Sequence, residues 1–206
     1  MSASCAHGGE AVLRLNRRVL WAVLAINAGM FVVEAVAGWQ AQSVALQADA
    51  LDFLGDSVNY AIALFVLARS VGWRAGTALL KGVAMVGFGA FLLAASAYNA
   101  VVGSAPGAEV MGAIGALALF ANVISAILVF RFRTGDANLR AVWLCSRNDA
   151  IGNLAVMAAA AGVFFSGTAW PDLLVGLGMA GLAVWAGASV IRQARGELRR
   201  ASPAAA

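Results

Sequence analysis

The fold of this chain is decided by its second apolar segment, which reads SVALQADALDFLGDSVN from residue 43 to residue 59. Apolar and small residues dominate the segment, yet Asp49, Asp52, Asp56 and Asn59 recur in it at spacings of three, four and three residues. That spacing places all four polar side chains on one face of an α-helix. Because acids exposed to lipid are costly, we predict that this face lies inside a bundle of helices.

The rest of the chain has the composition of a membrane protein. Of its 206 residues, 62% are hydrophobic and 12% are charged, against about 25% charged in an average soluble domain. This composition excludes an ordinary soluble domain, a disordered chain and a nucleic-acid-binding protein. Two cysteines and one histidine exclude a disulfide scaffold and a zinc site built mainly from Cys and His.

Six apolar stretches are long enough for the ~20 residues that a bilayer core requires. They lie at about residues 19–38, 44–68, 78–98, 108–130, 141–165 and 170–191. We therefore predict an all-α membrane protein, a six-transmembrane-helix bundle at 19–192 that follows a cytoplasmic tail at 1–18 and precedes a short basic cytoplasmic tail at 193–206.

Basic residues lie almost entirely on one side of the predicted spans. Thirteen of the fourteen Lys and Arg residues lie before span 1, between spans 2 and 3, between spans 4 and 5, or after span 6. The other connections, at 39–43, 99–108 and 166–169, carry none. The positive-inside rule then predicts that both termini are cytoplasmic. In this interpretation Lys81 belongs to the basic connection between spans 2 and 3.

Ionisable residues inside the spans make the interior of the bundle negatively charged. One base, Arg147, accompanies five acids: Glu34, Asp49, Asp52, Asp56 and Asp149. Each charged side chain at the bilayer centre costs roughly 2.5–3.5 kcal/mol. A bound metal cation, or protons, would compensate this negative charge.

A four-ligand metal site is predicted where spans 2 and 5 meet. Cys145 and Asp149 lie one turn apart, as do Asp52 and Asp56. Asp52 and Asp56 lie ~14–20 Å along span 2, and Cys145 and Asp149 ~8–14 Å along span 5 from the opposite side. Both pairs therefore fall near the middle of a ~30 Å core. Three carboxylates with a thiolate suit a divalent transition metal, although Cys145 is equally well explained as a small apolar filler.

Further polar residues are candidates for a second shell around the metal ligands or for a proton path: Asp49, Asn59, Asn153, Glu34 and Asn27. Amide side chains can orient metal-binding carboxylates, and they can equally join helices by hydrogen bonds. For Glu34 and Asn27 we favour a hydrogen bond to a neighbouring helix.

The segment at 43–56 resembles the second helix of the cation diffusion facilitators, a family of membrane metal transporters. That family begins this helix with Ser-x-Ala-Leu-x-Ala-Asp-Ala and then places two metal ligands four residues apart. Asn27, Glu34 and Gly38 stand where the family has Asn, Glu and Gly in its first helix. The stretch at 145–153 resembles the fifth helix, where another ligand pair precedes small residues.

The resemblance implies that Asp52, Asp56 and Asp149 bind the transported metal, with Cys145 in the place of a family His or Asp. Because no span contains a histidine, zinc, cobalt, nickel, cadmium, iron and manganese all stay open as substrates. The family usually carries a cytoplasmic metal-binding, dimer-forming domain after span 6. A short arginine-rich tail follows here, so we expect a short form that lacks this domain.

We expect a secondary transporter that exports a divalent metal from the cytoplasm in exchange for protons, with no permanently bound cofactor. The chain contains no P-loop motif for ATP. Metal binding to acids releases protons, and alternating exposure of one site then gives exchange. Family members are homodimers, so we expect a homodimer. The arginine-rich and alanine-rich composition indicates a GC-rich bacterial genome and hence the inner, or plasma, membrane.

Two other functions stay open at this point. A metal-binding accessory or sensor subunit would keep the site without transporting. An exporter of organic cations would need aromatic residues around the acids, and these are few: Phe53, Tyr60 and Trp143. An enzyme is not expected, because no nucleophile with a neighbouring base can be identified and the single histidine is His7.

Overall fold

The computed structural model describes residues 17–65, 71–102, 105–130 and 137–201. Within these ranges the chain is all-helical, as predicted, and forms six α-helices. They are α1 (Arg17–Gln40), α2 (Val44–Phe65), α3 (Val71–Val102), α4 (Ala108–Phe130), α5 (Ala137–Ser166) and α6 (Trp170–Ala201). The predicted tails fall largely outside the described ranges, and residues 193–201 continue α6.

Five of the described helices, all except α2, are long and apolar enough to cross a membrane. Helix α2 is the exception because every eighteen-residue stretch of it contains all three of its aspartates, and a stretch with more than two charged residues does not qualify as a candidate span. The same helix packs against α1, α3, α5 and α6, and Phe53 on it is buried against Met30 and Ala118. Burial by other helices is what permits three acids in such a segment; the count of six spans stays a prediction.

The position of Lys81 corrects the sequence interpretation. Lys81 is not part of a connection, because α3 begins at Val71 and continues through it without interruption. The apolar stretch Ala75–Val102 includes this lysine. No proline interrupts residues 71–81, and a single Lys is itself a good helix former.

The three connections without basic residues meet at one end of the bundle. The turn between α1 and α2 is closed by the Ser43 amide, which donates to the Gly38 carbonyl at 2.9 Å. The Gly107 amide, just before α4, donates to the Ala41 carbonyl at 3.0 Å. Asp172, just after the connection between α5 and α6, accepts a hydrogen bond from Ser43. The connections without basic residues therefore share one end of the bundle, as expected for helices that run alternately up and down. Which side of the membrane this end faces stays a prediction.

Asp172 fixes the start of α2 from another helix. Its Oδ1 accepts the Ser43 hydroxyl at 2.6 Å, and its Oδ2 accepts the Val44 amide at 2.8 Å. The Ala45 amide adds a bond of 3.1 Å to Oδ1. The first amides of a helix have no partner within it and carry partial positive charge, so a buried carboxylate satisfies and stabilises them. One turn further along α6, a Cβ on Gly176 would stand 2.7 Å from the Val44 side chain.

Helices α3 and α6 approach each other through glycine. A Cβ on Gly82 would stand 2.9 Å from the Gly187 carbonyl oxygen, and a Cβ on Gly187 would stand 2.8 Å from the Gly82 carbonyl oxygen. Real Cβ atoms do not come this close to backbone oxygen. Small residues at such crossings let two membrane helices pack at short range, so this contact fixes the height of α3, and of Lys81, against α6.

We expect Asp172→Ala to lower the free energy of unfolding by about 1–3 kcal/mol, because it leaves buried amides of α2 without an acceptor. The measurement is thermal unfolding of the detergent-purified protein. Glu109→Ala is the matched control, since Glu109 is also an acid in the first turn of a helix, α4, and is exposed. Equal melting temperatures for the two variants would contradict a capping role.

We expect Gly82→Ala to destabilise the protein clearly more than Gly87→Ala. Both glycines lie in α3, but a Cβ on Gly87 meets nothing within 4 Å. Gly87→Ala should be neutral or stabilising by up to about 1 kcal/mol, because alanine is the better helix former. The same unfolding measurement checks both variants, and a harmless Gly82→Ala would show that the two helices separate easily.

Candidate acidic site between helices

The candidate site is formed where the acidic face of α2 meets α5. Asp49 is buried at 1% exposure, whereas Asp52 and Asp56 are half-buried. Asp149 on α5 is 7% exposed, and its carboxyl group interacts with that of Asp52. The structure therefore brings together Asp52 and Asp149, two of the predicted ligands, from two different helices.

Helix α5 approaches the acids of α2 at Gly152. A Cβ on Gly152 would stand 3.8 Å from Asp49 Oδ1, in ordinary contact, so the α5 backbone passes close to the α2 acids. One turn after Asp149, the Asn153 amide nitrogen donates to the Asp149 carbonyl at 2.8 Å. Asn153 is fully buried, and its Oδ1 accepts no hydrogen bond from any described residue. Asn153 therefore keeps one buried acceptor without a donor, one turn from Asp149 on α5.

Glu34 and Asp49 form a second carboxyl pair, between α1 and α2. Glu34 is 0% exposed, and its carboxyl group faces that of Asp49. No donor from the described part of the chain reaches either Glu34 oxygen or Asp49 Oδ2, so the structure shows no donor for the interhelical hydrogen bond expected of Glu34. Two buried carboxylates without a donor repel each other strongly. A proton shared between them, or a cation, would supply the missing partner.

The hydrogen bonds of Asn27 do not lead to these acids. Its amide nitrogen donates to the Val23 carbonyl at 2.7 Å and lies 3.5 Å from the Ser125 hydroxyl on α4. Both contacts tie α1 to itself and to α4. Asn27 Oδ1 is buried and accepts no hydrogen bond from a described residue, so the role of Asn27 stays a prediction.

Asn59 has a partner that sequence reasoning missed. The Lys81 ammonium donates to Asn59 Oδ1 at 2.6 Å, and the acids that act most strongly on its charge are Asp56 and then Asp52. In the sequence, Lys81 follows Arg74 after six uncharged residues. That separation from the basic connection is the signal that could have placed it inside the helix.

Asp172 was also missed as a positioning residue. It is the third residue of α6 and lies inside the predicted span at 170–191, but it is not among the acids that the sequence pattern singled out. The sequence offered one indication: Ser43, at the start of a predicted span, and an acid, Asp172, lie at the same predicted end of the bundle. Only the fold could show that the two meet.

A ready-made metal cluster is absent from the described residues in this conformation. Among them, no three His, Cys, Asp or Glu side chains converge closely enough to hold a metal ion. Cys145 lies in α5, but its side chain falls outside the described residues. The full ligand set of Asp52, Asp56, Asp149 and Cys145 therefore stays a prediction.

Comparison with known proteins agrees with this architecture. The family model for the cation efflux transmembrane domain matches residues 20–198. The metal cation efflux system protein CzcD of Cupriavidus metallidurans is 29% identical over 182 residues, which is 79% of this chain and 56% of that protein. A Bacillus subtilis protein named cadmium, cobalt and zinc/H(+)-K(+) antiporter is 23% identical over 207 residues, 91% of this chain and 65% of that protein.

The chain thus spans between about half and two thirds of the length of these relatives. The matched region contains all six described helices except their outermost residues. The family match covers most of the chain. It agrees with a structure in which an acid on α5 meets an acidic face on α2. The chain belongs to the cation efflux family, the cation diffusion facilitators, through its transmembrane domain.

Proposed function

We propose that the chain is a secondary transporter, and not an enzyme, that exports a divalent transition-metal cation from the cytoplasm in exchange for protons. The observation that carries this proposal is the carboxyl pair of Asp52 and Asp149, which joins α2 to α5. Two carboxylates held together in a membrane interior attract a divalent cation strongly, because the attraction is larger there than in water.

Asp56 is proposed as the third ligand. It lies one turn from Asp52 on α2, and its charge acts on Asp149 as well. A modest rearrangement of α2 against α5 would bring three carboxylates around one ion. Cys145, which lies on α5 one turn before Asp149, is the fourth proposed metal ligand.

The proposed substrates follow from the donors and from the relatives. Carboxylates with a thiolate accept several first-row metals. The Bacillus subtilis relative is named for cadmium, cobalt and zinc, so these come first, before nickel, iron and manganese. Proton exchange has support from the same antiporter name and from the donor-free pair of Glu34 and Asp49.

The proposed orientation places both termini in the cytoplasm of a bacterial plasma membrane. The basic connections would then lie inside, and the three uncharged connections that meet at one end would lie outside. Exposed apolar side chains on α3, such as Phe88 and Phe91, suit contact with lipid or with a second copy of the chain. We propose a homodimer as the working form.

We expect Asp52→Asn and Asp149→Asn each to reduce metal flux by about tenfold or more, because each removes a charged ligand at nearly constant shape. The measurement is uptake into proteoliposomes with each of the six metals and a pH-sensitive dye inside the vesicles. Glu109→Gln, which removes an exposed acid, is the matched control and should transport like wild type.

The outcomes of that experiment separate the candidate functions. Normal flux in Asp149→Asn would place the metal path elsewhere. Binding of metal by purified wild type without flux of any of the six metals would favour an accessory or sensor subunit. Flux of organic cations without flux of any metal would favour an exporter of organic cations.

We expect Glu34→Gln to uncouple metal and proton movement. The amide would give Asp49 a permanent donor, so the pair would no longer need a shared proton. Metal binding to the purified protein should stay close to wild type, while the proton movement that accompanies each metal ion should fall. An unchanged ratio of protons to metal would contradict a role of this pair in the proton path.

A further inference from the structure

Lys81 is a cation inside a region that the sequence interpretation left acidic. It is half-buried in the apolar stretch of α3, directly before the glycine contact that fixes α3 against α6. A lysine in such a place is costly unless it has partners. The polar groups that interact with Lys81 lie on α2, and they indicate its role.

The Lys81 side chain crosses α2 beside the acidic face. A Cβ on Gly55 would stand 3.9 Å from Lys81 Cε and 4.0 Å from Nζ. The end of the lysine side chain therefore packs against α2 at Gly55, and its ammonium reaches Asn59 Oδ1 at 2.6 Å. Asn59 orients the ammonium through a neutral amide oxygen, so the positive charge is not cancelled and acts on other groups.

The charge of Lys81 acts on two of the proposed metal ligands. Asp56, next to Gly55 in sequence, is the acid that interacts most strongly with it, and Asp52 follows. An ammonium near these carboxylates attracts them as a metal ion would, and it repels an incoming metal ion. Lys81 and the metal therefore compete for the same negative charge.

We propose that Lys81 is a tethered counter-cation, which neutralises Asp56 in the empty site and is displaced when a metal ion binds between α2 and α5. This inference rests on the proposed function, because it assumes that Asp52 and Asp56 bind the metal. It gives Lys81 control over affinity: the lysine weakens binding and so favours release of the ion. The ammonium also keeps the empty site from holding adjacent uncompensated acids.

The test compares Lys81→Gln with Lys81→Arg in the full chain. Zinc and cobalt binding to the purified protein is measured by calorimetry, and thermal unfolding is measured with and without metal. Lys81→Gln should bind metal about tenfold more tightly, because it removes the competing charge, and should melt at a lower temperature without metal. Lys81→Arg should bind no more tightly than wild type. Arg195→Gln, which removes an exposed base from α6, should change neither property.

Unchanged or weaker binding in Lys81→Gln, with wild type binding normally, would overturn the inference and leave the proposed function intact. No binding and no flux in wild type would overturn both. If Lys81→Gln does not fold, Lys81→Gln with Asp56→Asn provides the second readout, since it restores the charge balance. Recovery of folding in this double variant supports the inference. Failure to fold, where Asp56→Asn alone folds, would show that Lys81 acts through packing and overturn it.

Discussion

The site depends on the carboxylate of Asp172, which caps α2 from α6 and fixes where that helix begins. A helix rises 1.5 Å per residue, so once its first residue is held, the height of every later side chain is determined. Asp52 and Asp56 then lie ~14–20 Å from Ser43 along the axis. A cap within α2 alone would satisfy the same amides, but it would not tie the acidic face to the rest of the bundle. The interhelical cap does both.

Buried charge is balanced in different ways at neighbouring positions of α2. Glu34 faces Asp49 with no donor between them. Asp52 faces Asp149 across the contact with α5. Asp56 has the Lys81 ammonium nearby, held by Asn59. The three arrangements differ in the cation that can balance their negative charge: a proton, a metal ion or a fixed side chain. A transporter that exchanges metal for protons needs acids that accept more than one cation, and this face offers that range.

Close helix packing connects these arrangements. Gly82 and Gly187 bring α3 against α6, and Gly176 brings α6 against the start of α2. The lysine on α3 and the cap on α6 are therefore held relative to the same helix. Because packed helices move as rigid elements, a shift of α3 and α6 against α2 would change the Lys81 contact with the acidic face.

The amino-acid sequence by itself determined the helical membrane class, the positions of the apolar helices, and the acids at 49, 52, 56 and 149 that define the candidate site. Periodicity and hydropathy decide these features locally, because a bilayer admits few alternatives to an apolar helix. The family also follows from sequence, through the spacing of the residues at 43–56. Tertiary structure alone decided which acids pair, that Lys81 lies inside the bundle beside Asp56, and that Asp172 caps another helix. These contacts join residues that are 15 to 129 positions apart in the chain, and no local pattern encodes which helix faces a given polar side chain.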